Sequence, residues 1–140
     1  MTQIKNRPSF NSIFINLAES LSQRSNCDRL SVGCVIVSTD YTKVLSIGYN
    51  GNAAGLPNCC DDKEAKGACG CLHAEENAVI HCDSPRNLDK IVIVTHSPCV
   101  MCAKRLINLG GVKKVIYKND FRSLDGLELL KKANIAVEKF

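Results

Sequence analysis

His73-Ala74-Glu75, followed by Pro98-Cys99-Val100-Met101-Cys102, supplies one imidazole and two thiols of the kind that bind a soft metal, with a carboxylate left over. A structural zinc is usually closed by four protein ligands. A His/Cys/Cys set leaves one tetrahedral position for water and brings the pKa of that water down to about 7. Glu75 is not needed as a ligand and is therefore available to carry protons. Alone, Cys-x-x-Cys also serves redox pairs and half-sites of zinc ribbons, and His-x-Glu occurs by chance. The two together, each at the start of a helix, point to a hydrolytic zinc centre and give Glu75 a task.

The flanking residues state which elements must hold these groups. Residues 74–81 predict a helix with Ala74, Ala78 and Val79 facing inward, so His73 and Glu75 fall in its first turn, at the positive end of the helix dipole. Pro98 suits the start of a second helix running through Met101, Leu106 and Ile107, with Cys99 and Cys102 on one face of its first turn, where thiolates ionise readily. Phe10, Ile13, Phe14, Leu17 and Leu21 recur at helical spacing and predict one apolar stripe, with Ser9 as its cap. Strands are expected at 32–37 and 43–49, forming a hairpin, and at 91–94, 112–117 and 135–137, with a last helix over 126–133. This alternation predicts an α/β fold, a three-layer α/β/α sandwich around a five-stranded mixed sheet, in one domain over residues 1–140.

Composition narrows the setting. The chain of 140 residues, 45% hydrophobic, is long enough for a real core. No apolar stretch reaches the roughly 18 to 20 residues of a membrane span, and Met1 to Pro8 lacks the apolar centre of a signal peptide, so a cytoplasmic protein without a membrane partner is expected. In that setting the nine cysteines are read as metal thiolates and buried thiols rather than disulfides. The formal charge of +4 is modest, and a four-thiolate zinc site would lower it by about two, too little to argue for a nucleic-acid partner.

The segment 51–72 is not explained by a core. It holds Cys59, Cys60, Cys69 and Cys71, and either Cys59 or Cys60 with Cys69, Cys71 and the more distant Cys27 would close a second, structural zinc. Cys34 and Cys82, with ordinary strand and helix surroundings, are read as core.

His-x-Glu with Pro-Cys-x-x-Cys is the signature of zinc deaminases acting on cytosine or adenine. Ile47-Gly48-Tyr49-Asn50-Gly51 followed by Asn58-Cys59-Cys60, with His73 to Ala78 and Ser97 to Cys102, resembles the deoxycytidylate (dCMP) deaminases of the cytidine deaminase superfamily, and the likeness runs from Cys27 to the helix near Gly126. It implies zinc on His73, Cys99 and Cys102, with Glu75 carrying protons while water replaces the amine at C4. A second zinc is implied on Cys27 and Cys59 with the ligands Cys69 and Cys71 just before His73. The Ala74 amide and Ser97 carbonyl would hold the cytosine edge, Asn50 a sugar hydroxyl, and Phe121, where some relatives carry Tyr, would lie against the nucleotide. Tyr117 is counted with these substrate-binding residues. For the 5′-phosphate the chemistry favours Arg122, whose guanidinium grips phosphate with two prongs, and then Lys118.

Members of this family are commonly hexamers activated by dCTP and inhibited by dTTP. The resemblance therefore implies a homo-oligomer and an effector site for a nucleoside triphosphate, possible with Mg2+, at the glycine loop of Gly51, Asn52 and Gly55. The family's Gly-x-Pro-x-Gly is here Gly51-Asn52-Ala53-Ala54-Gly55. Other readings are a deaminase of another cytosine nucleotide such as dCTP and a tRNA adenosine deaminase, which shares both zinc motifs but needs a basic face. A non-enzymatic zinc module, binding a partner through its cysteine-rich loop, would fold without turnover.

Overall fold

Side chains alternate strictly along the first strand: Cys34 and Ile36 enter one hydrophobic core, and Val35 and Val37 enter another on the opposite face. A strand buried on both faces must be central. The computed structural model, which describes residues 5–62 and 69–140, places it there. Residues 1–4 of the polar N-terminal stretch and 63–68 of the cysteine-rich segment lie outside the described residues. In chain order the elements are α1 (Phe10–Ser22), β1 (Gly33–Ser38), β2 (Val44–Tyr49), α2 (Ala74–His81), β3 (Lys90–His96), α3 (Val100–Leu109), β4 (Val112–Asn119), α4 (Asp125–Lys132) and β5 (Ala136–Lys139). The sheet order is β2-β1-β3-β4-β5; β1 is antiparallel to both neighbours, and β3, β4 and β5 run parallel, so the sheet is mixed as expected.

The two cores separate the layers. Phe14, Ile15 and Ala18 of α1 meet Val35, Val37, Ile91, Ile93 and Ile116 on one face. On the other, α2, α3 and α4 contribute Ala74, Ala78, Ala103, Leu106, Leu127 and Leu130 against Cys34, Ile36, Val92, Val94 and Val115. The architecture is the α/β/α sandwich read from the sequence, with α1 alone on its side. The stripe of α1 needs correcting: Ile15 and Ala18 are fully buried, whereas Phe10 and Ile13 are 53% and 44% exposed. Phe10 is retained at the edge by stacking on Tyr41, ring centroids 5.3 Å apart. The Ser9 cap is present, its hydroxyl accepting from the Ser12 amide at 3.1 Å. Pro98 stands one residue outside the cap of α3, which is Cys99, and His73 is the cap of α2.

β3 begins on a residue whose burial the sequence does not announce. Lys90 is fully buried, its ammonium donating to the carbonyls of Pro85, Leu88 and Gly110 at 2.9, 2.8 and 2.9 Å. A buried cation is tolerable because all three of its donors are satisfied. Among the described residues no helix is long and apolar enough to cross a membrane.

α2 lies unusually close to β2, and the fit is made by small and polar groups. Ser46 donates to the Ala78 carbonyl at 2.6 Å and the Asn77 amide group to the Tyr49 carbonyl at 2.9 Å. A Cβ on Gly48 would stand 2.3 Å from the Ala74 oxygen and 2.6 Å from the Ala78 nitrogen, both backbone atoms that cannot swing away. Gly48→Ala should therefore push α2 off the sheet and cost about 1–3 kcal/mol, the usual range for overpacking. Chemical denaturation should show the loss and metal analysis a weakened first site, because α2 carries His73; unchanged stability would mean that the helix can shift freely.

Candidate active site

Two helix N-termini converge beyond the carboxyl end of β3. His73 caps α2, Cys99 caps α3, and Cys102 sits in the first turn of α3. The Glu76 carboxylate accepts from the His73 amide at 2.9 Å and pairs with Arg105 of α3 at 3.2 Å, tying the start of α2 to the middle of α3. The His73 Nδ1 atom lies 3.2 Å from Cys102 Sγ and 3.6 Å from Cys99 Sγ. A tetrahedral zinc with bonds of about 2.1 Å to nitrogen and 2.3 Å to sulfur has donors about 3.6 to 3.8 Å apart; the Cys99 distance matches, the Cys102 distance is a few tenths of an ångström short, and the donor set of one imidazole and two thiols suits the ion.

The electrostatics favour a cation as well. Contact with Cys102 and His73, opposed by burial, brings the Cys99 thiol down to about 3. The Cys99 sulfur and burial push Cys102 strongly the other way, since two adjacent thiols do not both ionise without a compensating charge. The Cys99 sulfur also raises His73. A divalent ion makes both sulfurs thiolates and lets His73 bind through a neutral nitrogen.

Glu75 follows the histidine and is 5% exposed. Among the described residues its carboxylate has no hydrogen-bond partner on another residue, and burial lifts it to about 7. It faces the cavity that His73 and Cys99 also line, a space of about 560 Å³, within the range of small-molecule sites. Such a carboxyl is suited to exchanging protons near neutrality.

The expected substrate residues divide. Asn50, Ala74, Ser97, Phe121 and Arg122 line this cavity. Asn50 is pinned, its oxygen accepting from the Val32 amide at 2.8 Å and its nitrogen donating to the Leu30 carbonyl, which leaves one lone pair and one N–H. The Ser97 hydroxyl accepts from the Phe121 amide at 2.7 Å and so sets the loop after β4, on which the Arg122 guanidinium lies 5.2 Å from the centre of the Phe121 ring. Tyr117 instead belongs to the core beneath α2–α4 and is 7% exposed. Lys118, the next residue on the strand, points to the opposite face of the sheet, where its ammonium meets Glu19 of α1 at 2.8 Å. Arg29, His96, Met101 and Asp120 also line the cavity and were not anticipated. Of these, His96 and Asp120 were legible in principle, since they end parallel strands where α/β sites form.

A second group of sulfurs adjoins the cavity. Cys27, Cys60, Cys69 and Cys71 bring their sulfurs together: Cys60 lies 3.5 Å from both Cys27 and Cys71, and Cys27 is 3.8 Å from Cys69. These spacings match the edge of about 3.8 Å expected of a four-sulfur zinc site. Cys60 therefore takes the place assigned to Cys59, which is exposed in the bend where its own amide donates to the Pro57 carbonyl at 2.8 Å. The glycine loop also differs from expectation. The Gly51 amide donates to the Leu72 carbonyl at 3.0 Å, the Ala53 amide to Asn52 Oδ1 at 2.8 Å, and Asn52 Nδ2 to the Cys59 carbonyl and Asp61. The Gly51 and Ala53 amides and the Asn52 side chain are thus engaged within the loop and its neighbours.

Residues 8–119 match the family described as the cytidine and deoxycytidylate deaminase zinc-binding region. The chain is 34% identical to the deoxycytidylate deaminase of Saccharomyces cerevisiae, over 96% of this chain and 46% of that protein. It is 31% identical to that of Mycobacterium phage D29, over 81% of this chain and 98% of that one. The chain thus spans less than half the length of the yeast relative. The dCMP deaminase of cyanophage S-TIM5, solved in complex with dCMP and dUMP, superposes with a TM-score of 0.82 at 35% identity, covering 97% of this chain and all of that one.

The choice between the adjacent cysteines is open to direct test. After reconstitution with zinc, Cys60→Ser should hold one ion fewer per chain than the parent, and Cys59→Ser should hold the same number. Metal analysis giving the reverse order would return Cys59 to the cluster.

Proposed function

Because the chain belongs to the cytidine and deoxycytidylate deaminase family, we propose that it catalyses the zinc-dependent hydrolysis of dCMP to dUMP and ammonia. The observation that carries this reading is the buried Glu75 carboxyl, without a hydrogen-bond partner on any other described residue, facing the same cavity as His73 and Cys99. Zinc on His73, Cys99 and Cys102 supplies, when bound, a water acidic enough to react at neutral pH. Glu75 would take a proton from the attacking water and pass it to ring N3 as the water oxygen adds to C4; the remaining hydroxyl proton would then move through Glu75 to the exocyclic amine, the C4–N bond would break to leave C4=O, and ammonia would depart. The Ala74 amide and Ser97 carbonyl orient the base, and Phe121 flanks the nucleotide.

The monophosphate is favoured by the relatives named deoxycytidylate deaminase, by the cyanophage complex with dCMP and dUMP, and by Arg122 at the cavity wall. In this reading dUMP feeds thymidylate synthesis in the cytoplasm, and a second zinc on Cys27, Cys60, Cys69 and Cys71 braces the wall. Hexamer formation and control by dCTP and dTTP are carried by the family resemblance; a triphosphate effector, with Mg2+, requires the glycine loop to release its internal hydrogen bonds.

Glu75→Gln should retain the metal and the fold while turnover of dCMP falls on the order of 10² to 10⁴. Near-normal turnover in a spectrophotometric assay would remove Glu75 from the proton path. Arg122→Ala should weaken dCMP by about 1.5 kcal/mol, the low end for a charged hydrogen bond because this side chain is exposed, and should leave deoxycytidine almost unchanged. Lys118→Ala, on the far face of the sheet, should alter neither substrate.

A further inference from the structure

His96 lines the cavity, yet the reaction just described gives it no task. It is the last residue of β3 and immediately precedes Ser97, so its Cα lies about 3.8 Å from that of Ser97, near the zinc ligands. Its Nδ1 atom is 2.9 Å from the hydroxyl oxygen of Thr95, which is 2% exposed. That oxygen already accepts a hydrogen bond from the Gly33 amide at 3.2 Å. Among the described residues the Thr95 hydroxyl hydrogen has no other acceptor, so the arrangement that satisfies every group has the hydroxyl donating to His96 Nδ1. A nitrogen that accepts carries no proton, and the proton of a neutral ring must then sit on Nε2. Burial favours the neutral ring over the imidazolium. No described residue accepts from Nε2.

Resting on the dCMP reading above, we propose that His96 is a substrate-positioning residue, fixed by Thr95 as the Nε2–H tautomer so that it donates a hydrogen bond to an oxygen of the nucleoside half of the substrate. A cationic or Nδ1-protonated ring could not make the same arrangement with Thr95. A neutral donor suits a neutral acceptor, such as a base carbonyl or sugar oxygen; the phosphate dianion is served by the guanidinium of Arg122. The bond forms in the ground state and persists through the reaction, so it acts on KM and leaves kcat alone.

The experiment compares the zinc-loaded parent with His96→Phe, which keeps a ring of similar shape without the donor, and His96→Gln, which restores an N–H. Turnover of dCMP by the parent tests the dCMP reading by itself. Given that turnover, His96→Phe should raise KM for dCMP about three- to tenfold, the worth of one neutral hydrogen bond, with kcat changed less than about twofold. His96→Gln should recover part of the loss, and inhibition by inorganic phosphate should be the same in all three proteins. Nitrogen-15 spectra of histidine-labelled protein should show His96 protonated at Nε2 and bare at Nδ1. A variant KM equal to the parent's, a loss confined to kcat, a parallel loss in phosphate inhibition, or protonation at Nδ1 would each overturn the assignment.

Discussion

The structure depends on bringing the first turns of α2 and α3 to one point at the end of β3. Each helix start supplies metal ligands, and each carries positive partial charge from its free amides. Two such ends repel unless anions lie between them. The Cys99 sulfur accepts from the Cys102 amide at 3.4 Å, and Glu76 reaches across from α2 to Arg105, so the helix starts are neutralised by the same groups that build the site. Close approach of the backbones is what makes this possible. Gly48 admits α2 to the sheet, and Gly126, whose Cβ would stand 2.1 Å from the Pro98 oxygen, admits α4 against the start of α3. The glycine of the Gly-Tyr-Asn-Gly run is thus a packing requirement of the zinc helix before it is anything else.

Burial assigns different tasks to groups of similar chemistry. Glu75 and Glu76 are adjacent on α2, and helical geometry turns them about 100° apart. Glu76 is held by a backbone amide and a guanidinium and serves the scaffold. Glu75 is bonded, among the described residues, only to its own backbone amide and faces the cavity, where burial keeps its proton available near neutral pH. Lys90 shows the opposite outcome: its buried charge is fully bonded to three carbonyls, and it fastens the loops before β3 without entering the site.

Much of this was legible because the signals were periodic or covalently short. Residues 74–81 were placed to the residue, all five strands were found, and the ligand triad follows from spacings of two and three residues within single helix starts. The errors share a cause, which is that facing is set by tertiary packing. The stripe on α1 was drawn through Phe10 and Ile13, but the helix approaches the sheet most closely at Ala18, whose oxygen would stand 1.8 Å from a Cβ on Gly33, so the buried line passes through Ile15 and Ala18. Lys118 and Tyr117 were assigned together to one site, although period-two geometry turns neighbours on a strand to opposite faces: Tyr117 lies in the core under α2–α4 and Lys118 pairs with Glu19 on the other side. His96 could be read as a strand-end residue, but its contact with Thr95, and that of Thr95 with Gly33, is set by the packing of β1 against β3.

The four-sulfur cluster is closer to the chemistry than its distance along the chain implies. Cys27, Cys69 and Cys71 line the same cavity as Glu75, and burial of the Cys27 sulfur is outweighed by amides of Arg29 and Leu30, which bring it down to about 7. The residues that hold this sulfur therefore lead directly into Leu30 and Val32, whose backbone groups pin Asn50. An ion drawing the four sulfurs together would fix that backbone, and with it the wall opposite Phe121. Fixing the wall matters because the segment 51–62 has no helix or strand of its own and is joined to residue 72 by a single bridge at Gly51. Without a cross-link, ordering so polar a stretch would cost backbone entropy with little apolar burial in return. Glu75 and Arg122 line one cavity with Cys27, Cys69 and Cys71, so the cluster belongs to the shape of that cavity as much as to the stability of the fold.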